Sequence, residues 1–296
     1  MTNAVPVTTL VRTKDGRTLR VEEAGDLDGK PVLTHHGTPG AGHAYDRHVA
    51  DATKKGIRLI AYDRPGYGGS TPHPNHTKAD GAEDVRAIAQ AIGIERLAVW
   101  GHSGGGPYAL ACAAMLPDLV VAVAALASIA PYGSLGLDYF DGMGAENVDD
   151  IRLTLSDEAA ARRKLVEDRA HMLALTPEDL TSAFPTLLSA VDRAAQSPEL
   201  TQWLWRCGHD GLAPGGEGWW DDGMAQLKPW GFSFESISLP VQLWHGRHDQ
   251  FVPFQHGQWL ADHIPGVDAH LSDADGHITL IQNRIPDVHA WLLEHF

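Results

Sequence analysis

The sequence predicts an α/β fold built on a mostly parallel β-sheet. Short apolar runs without alternation, typical of strands covered on both faces, recur between segments with helical periodicity. An antiparallel pair precedes them, because alternating residues at 8–12 and 18–22 flank an Asp15-Gly16 hairpin signal. The rhythm stops after Pro131, which predicts an insertion into the sheet.

The expected sheet has eight strands with helices on both faces. The predicted buried strands are 32–34, 57–61, 97–100, 120–126 and 241–244, and a final strand includes 269–271. The clearest helical periodicity lies at 79–92 and 107–116. Because reactive groups collect at the carboxyl ends of strands in an open parallel sheet, the loops after these strands are the places to look for chemistry.

We expect residues 1–130 and 231–296 to form the core domain and 131–230 to form a mainly helical cap. Helical periodicity at 157–175 and 177–195 is followed by the Gly-rich segment 215–220. Five of the nine tryptophans fall in the second half of the cap, at positions 203, 205, 219, 220 and 230. Their rings either line an apolar pocket or pack the cap's own core.

Composition excludes several classes of function. The formal net charge of −15, without a cluster of Lys and Arg, argues against nucleic-acid or anionic-membrane partners. Two cysteines, Cys112 and Cys207, make no disulfide framework, and no 18-residue apolar span or leader-like N-terminal pattern is found. We therefore expect a cytoplasmic protein. The sequence does not indicate its oligomeric state.

A glycine-flanked serine is the most informative motif. The sequence Gly101-His102-Ser103-Gly104-Gly105 follows a predicted strand and precedes a predicted helix, which is the setting of a nucleophile elbow. The backbone strain at the serine exposes its hydroxyl and requires glycines two residues away on each side.

A serine nucleophile needs a base, and the base needs an orienting acid. Asp249 and His277 lie in loops after late strands, which gives the chain order Ser, Asp, His. The rival bases are His270, within the last strand, and His263, near a helix end. The rival acids, at positions 273 and 275, are so close to His277 in sequence that they point elsewhere from the same loop.

Four further motifs lie in the loops after predicted strands. They are HGTPG at 36–40, YDRPGYGGS at 62–70, HGRHDQFVP at 245–253 and GH at 276–277. With the elbow they make the chain resemble the α/β-hydrolase superfamily over residues 7–130 and 237–296. Some members place the acid after the sixth strand, but here residues 126–131 offer no carboxylate.

The resemblance implies an α/β-hydrolase fold with the triad Ser103, Asp249 and His277. It also implies an oxyanion hole made by the backbone N–H groups of Gly104 and Thr38. Family members with Asp at the elbow open epoxides or displace halide, and Ser103 argues against both reactions.

The remaining candidates concern the pocket. His36 and His102, with Trp219 and Trp220 of the cap, are candidate substrate-binding residues. The spacing of His245, His248 and Asp249 lacks the helical register and third ligand of a zinc site, so we expect no metal and no cofactor.

The expected function is hydrolysis of a small-molecule carboxylic ester, lactone or related acyl bond through an acyl-enzyme on Ser103. A proline-iminopeptidase-like activity is a second hypothesis, in which the cap carboxylates Glu217, Asp221 and Asp222 hold an amine, although the elbow sequence differs from that group. C–C bond hydrolysis and perhydrolysis use the same triad. A ligand-binding receptor with little turnover is the hypothesis from another class.

Overall fold

An eight-stranded sheet with helices on both faces forms the body of the protein. The computed structural model describes residues 6–296, apart from the side chain of Thr181. The strands are β1 (Val7–Arg12), β2 (Thr18–Gly25), β3 (Lys30–His35), β4 (Ile57–Tyr62), β5 (Leu97–His102), β6 (Val120–Leu126), β7 (Val241–Gly246) and β8 (Asp268–Ser272). Their spatial order is β1-β2-β4-β3-β5-β6-β7-β8. The hairpin pair and β2/β4 are antiparallel, and the other pairs are parallel, as predicted.

The helices fall into two groups. Those that cover the sheet are α1 (Asp46–Lys55), α2 (Asp80–Ala91), α3 (Gly106–Met115), α10 (Phe254–His263), α11 (His277–Asn283) and α12 (Ile285–Leu293). Those between β6 and β7 are α4 (Ala145–Ser156), α5 (Glu158–Ala174), α6 (Leu180–Ala183), α7 (Ala190–Ala194), α8 (Pro198–Leu212) and α9 (Glu217–Leu227). Among the described residues, no helix is both long and apolar enough to cross a membrane.

The two faces of the central strand β5 belong to different cores. Leu97 and Val99 pack with residues of α2 and α3, whereas Ala98 and Trp100 pack with residues of α12 on the other face. Both faces of the strand are therefore buried, and this burial explains why the apolar runs of the parallel strands show no alternation. The helices predicted at 79–92 and 107–116 are confirmed within two residues as α2 and α3.

Residues 131–230, which lie between β6 and β7, match one of the two predicted helices and not the other. Helix α5 matches the periodicity predicted at 157–175, and the Asp157 carboxylate caps it by accepting a hydrogen bond from the N–H of Ala160. The continuous helix predicted at 177–195 is wrong. A 3₁₀ turn (Pro177–Asp179), α6 and α7 stand there instead, because Pro185 disfavours helical backbone at the residue before it.

The Gly-rich segment 215–220 leads into a helix. Helix α9 begins at Glu217 and runs to Leu227, so both tryptophans of the segment lie on a helix. We call residues 131–230 the insertion, and their role as a separate cap domain stays a prediction.

Candidate active site

Ser103 lies at the turn between β5 and the helical segment that leads into α3. Its backbone has a φ of 55°, in the left-handed region that non-glycine residues rarely adopt. A Cβ on Gly101 would overlap the carbonyl of Gly105, and a Cβ on Gly105 would overlap the carbonyl of His35. The two glycines of the motif are therefore a steric requirement of the turn that presents the serine.

Asp249 and His277 meet at the carboxyl end of the sheet. The His277 Nδ1–H donates to Asp249 Oδ2 over 2.8 Å, and the other carboxylate oxygen accepts the N–H groups of Phe251 and Val252 over 2.9 and 2.8 Å. Burial by itself raises the pKa of Asp249, but the charge and hydrogen bond of His277 outweigh it, so the pKa lies below its usual value. The carboxylate stays ionised and fixes the histidine ring.

The His277 ring is packed between two other side chains. Phe251 stacks on it with ring centroids 4.6 Å apart, and His102 lies at the same centroid distance with its plane tilted by 55°. The histidine is 4% exposed. Its orientation is thus set by packing as well as by the carboxylate.

The rival residues are engaged elsewhere. Asp275 accepts hydrogen bonds from Arg284 and Ser272, and Asp273 is paired with Arg247. His270 stacks on Trp244 and hydrogen-bonds Asp268, and His263 stacks on Trp259. Within residues 6–296, none of the four forms a hydrogen bond with the side chain of Asp249 or His277.

Two cavities meet at Ser103. The larger, of about 390 Å³, is also lined by Gly104, Trp219 and Trp220. The smaller, of about 210 Å³, is lined by His277 and by the apolar side chains of the insertion and core. Thr38 and Ser103 line both cavities, so a compound attacked by the serine has room on two sides.

The two histidines expected to bind substrate line the smaller cavity, and each is hydrogen-bonded to the backbone, His102 through Nε2 to the carbonyl of His277 over 3.1 Å. His36 accepts the Arg64 N–H at Nε2 over 3.0 Å, and its Nδ1–H donates to the carbonyl of Gly37 over 2.7 Å. Burial, reinforced by the Arg64 charge, holds the pKa of His36 well below its usual value. Both rings therefore shape the cavity wall while remaining neutral, since burial and the neighbouring His277 lower the pKa of His102 to about 3.

Thr38 and Gly104, the candidate oxyanion residues, are in close contact. A Cβ on Gly104 would overlap the hydroxyl of Thr38, so this glycine is required by the approach of the two loops. Gly104 follows the serine at the start of the helical segment, where backbone N–H groups point toward the N-terminal end.

The insertion places two buried carboxylates against this site: sequence reasoning missed Asp192 and assigned Asp222 a different role. Asp192 of α7 accepts the N–H groups of His277, Ile278 and Thr279 over 3.0, 2.8 and 3.0 Å. A Cβ on Gly276 would overlap this carboxylate. The glycine directly before His277 is therefore a feature of the sequence that could have indicated a side chain packed against this turn. Asp222 of α9 lies on the opposite side of the site, against Thr38 and Arg64.

The acidic residues named for amine recognition do not face the cavities. The residues that line the two described cavities do not include Glu217, Asp221 or Asp222. Asp222 is already paired with Arg64, and Glu217 is exposed. Within residues 6–296, no group of three or more His, Cys, Asp or Glu side chains is arranged to hold a metal ion.

Comparison with known proteins gives one family and several distant relatives. A family model described as the alpha/beta hydrolase fold matches residues 30–284. The chain is 28% identical over 249 residues to the bifunctional esterase/perhydrolase of Acinetobacter calcoaceticus, which covers 83% of each protein. It is 38% identical to the proline iminopeptidase of Xylella fastidiosa (strain 9a5c) over 108 residues, 35% of this chain and 34% of that protein.

A solved structure shows the same fold over nearly the whole length. The esterase of Exiguobacterium antarcticum superposes with a TM-score of 0.69 over 97% of this chain and 100% of the esterase, at 20% sequence identity. At that identity the likeness establishes the arrangement of strands and helices and leaves the substrate open.

Proposed function

We propose that this chain, which belongs to the α/β-hydrolase fold family, is a serine hydrolase that cleaves small carboxylic esters or related acyl compounds. The observation that carries the proposal is the buried Asp249–His277 pair, which lies at a cavity shared with the strained Ser103. Esterase names among the relatives support the same chemistry.

The geometry assigns a role to each residue. Because Nδ1 of His277 carries the proton donated to Asp249, its Nε2 carries the lone pair that accepts the Ser103 proton. The serine oxygen then attacks the acyl carbon, and the N–H groups of Gly104 and Thr38 stabilise the resulting oxyanion. The His277 imidazolium returns the proton to the leaving oxygen, and water later releases the acyl group by the same sequence in reverse.

The two cavities bind different parts of the substrate. His277 lines only the smaller one, and the leaving oxygen must lie near this proton donor, so the leaving group occupies the smaller cavity. Gly104, Trp219 and Trp220 line only the larger one, which takes the acyl chain. The expected substrate is therefore an ester with an apolar acyl group larger than its alcohol.

The test is hydrolysis of nitrophenyl esters together with covalent labelling by a fluorophosphonate. We expect Ser103→Ala to abolish labelling and, like His277→Ala, to lower kcat by a factor on the order of 10⁴ or more without loss of folding. His270→Ala is the matched histidine control and keeps its activity. Near-normal turnover by Ser103→Ala would overturn the proposal, and a wild-type protein that binds esters without turnover or labelling would be a receptor.

A further inference from the structure

The geometry points to Asp222 of the insertion as a positioning residue for the oxyanion hole. It acts through Arg64 and Thr38 to fix the orientation of the Gly37–Thr38 peptide, whose N–H is a donor in the reaction described above. The inference rests on the proposed serine-hydrolase function and adds to it a residue outside the triad and oxyanion hole.

The starting point is a buried ion pair. The Asp222 and Arg64 side chains are 2% and 1% exposed, and the guanidinium Nη2 donates to Asp222 Oδ2 over 2.6 Å. The same carboxylate accepts the hydroxyls of Tyr108 and Tyr67 over 2.6 and 3.2 Å. Burial by itself raises the pKa of Asp222, but the Arg64 charge outweighs it and holds that pKa well below its usual range. The pair is thus ionised and fixed.

Arg64 uses its remaining donors on the loop that carries Thr38. Its guanidinium donates to the carbonyl of His36 and, over 3.3 Å, to the carbonyl of Gly37. The Nδ1–H of His36 donates to that same Gly37 carbonyl over 2.7 Å. Two donors therefore hold one carbonyl oxygen on the Arg64 side of the loop.

The orientation of this carbonyl determines the direction in which the N–H of the next residue, Thr38, points. In a trans peptide the C=O and the N–H point in opposite directions, so the N–H of Thr38 points away from Arg64. Thr38 lines both cavities beside Ser103. A flip of this peptide would forfeit both hydrogen bonds to the Gly37 carbonyl and turn that oxygen toward the developing negative charge.

Thr38 is also tied directly to the ion pair. Its hydroxyl donates to Asp222 Oδ2 over 2.7 Å and accepts from Arg64 Nη2 over 2.9 Å. The carboxylate of the insertion therefore holds both the side chain of Thr38 and the cation that orients its backbone.

The insertion is held close to the core at this point. A Cβ on Gly66 would come within 2.5 Å of the backbone N of Gly218, so the start of α9 lies directly on the loop after Arg64. The N–H groups of Gly68 and Ala41 donate to the carbonyls of Gly211 and Cys207 in α8 over 3.1 and 2.9 Å. These contacts make α8 and α9 a fixed wall of the site.

The test compares two hydroxyls that donate to the same carboxylate. Thr38→Val removes the one attached to the oxyanion loop, and Tyr108→Phe removes the other, whose hydrogen bonds go to Asp222 and His76 and not to Thr38. We expect Thr38→Val to lower kcat about 10- to 100-fold with KM within about twofold, because oxyanion donors act mainly in the transition state. Thr38→Ser, which keeps the hydroxyl, recovers most of the loss, and Tyr108→Phe keeps kcat within about threefold of the wild type.

Melting temperature and fluorophosphonate labelling accompany each measurement. If Thr38→Val does not fold, Thr38→Ala repeats the comparison without a methyl group placed against Asp222. Unchanged kcat in a folded Thr38 variant, or an equal loss in Tyr108→Phe, overturns the inference while an active, labelled wild type leaves the proposed function standing. A wild type without turnover or labelling is the separate failure of the proposed function.

Discussion

The insertion contacts the two sides of the candidate site with different chemistry. On the side of the base, Asp192 accepts three backbone N–H groups at the start of α11 and the hydroxyl of Ser189, all of them neutral donors. On the oxyanion side, Asp222 accepts a hydrogen bond from the buried guanidinium of Arg64. Two aspartates of the same insertion thus stabilise neighbouring loops, one by capping a backbone and the other by neutralising a charge.

This difference determines how strongly the loss of the aspartate charge affects each side of the site. A neutral oxygen can still accept backbone N–H groups, so when the charge is removed the base side keeps the two hydrogen bonds that bind one oxygen of Asp192 and loses the other two. A buried guanidinium has no such substitute, because desolvation leaves an unpaired charge far from water. We therefore expect the oxyanion side to be much more sensitive to charge than the base side.

The largest effect is expected from Asp222→Asn. This change keeps the shape of the side chain but leaves Arg64 buried and unpaired, which costs about 3–5 kcal/mol of unfolding free energy. Urea unfolding measures the loss. In the double variant Arg64→Met/Asp222→Leu the charge is absent from both positions, and its destabilisation should be well below the sum of the single changes. Additive losses would show that the two charges do not depend on each other.

A second charge on the oxyanion side gives a pH-dependent prediction. Lys78 is 1% exposed and donates to the backbone carbonyl of Asp222, and burial lowers its pKa to about 8 despite the nearby carboxylate. Between pH 8 and 10.5, the pKa of a lysine in the unfolded chain, the unfolded state binds a proton that the folded state increasingly lacks. The contribution of Lys78 to the unfolding free energy therefore rises with pH across this window.

Urea unfolding at pH 8.0 and 9.5 isolates this contribution when wild type and Lys78→Met are compared. The pKa of Tyr67 is raised by burial, and this tyrosine titrates in both proteins, so its effect cancels in the difference. We expect the wild type to gain about 1.5 kcal/mol relative to the variant over this interval, since the slope rises toward about 1.4 kcal/mol per pH unit as Lys78 loses its proton in the folded state. Parallel pH profiles of the two proteins would contradict the prediction.

On the base side, Asp192→Asn should cost about 1–2 kcal/mol of unfolding free energy, because it weakens a helix cap and leaves one buried N–H without its acceptor. The amide oxygen still accepts the N–H groups of Ile278 and Thr279, but the NH₂ group can accept neither the His277 N–H nor the Ser189 hydroxyl, which both bind the other oxygen. Ser189→Ala, which removes that hydroxyl, is the matched control and should cost no more. A loss as large as that of Asp222→Asn would remove the contrast between the two sides.

The same contrast explains what the sequence predicted and what it did not. The elbow around Ser103 was recognisable because strand, turn and glycines all lie within a few residues. Asp249 and His277 follow strands whose ends meet at one edge of the sheet, so the parallel topology brings them together. In contrast, Asp192 lies 85 residues from its hydrogen-bond donor His277, and Asp222 lies 158 residues from its donor Arg64. No local sequence pattern links the members of either pair.

The last and smallest effect concerns substrate selection on the oxyanion side. Trp219 and Trp220 of α9 both line the larger cavity. Trp219 is half-buried, whereas Trp220 is 8% exposed and packs under Arg162, whose guanidinium carbon lies 4.0 Å from the ring centroid. Trp219→Ala should therefore raise KM a few-fold for long acyl chains and change kcat less, because the ring binds ground state and transition state alike. Trp220→Ala should mainly lower the melting temperature.

Leu204→Ala is the control on the base side, since Leu204 lines only the smaller cavity. It should alter selectivity among alcohols in a series of esters with a constant acyl group, and Trp219→Ala should alter selectivity among acyl chains with a constant alcohol. Kinetics on these two ester series, measured for both variants, test the assignment of the cavities directly. If the two variants exchange their effects, the acyl chain occupies the smaller cavity, and if Trp219→Ala changes neither series, α9 holds the oxyanion loop without selecting the substrate.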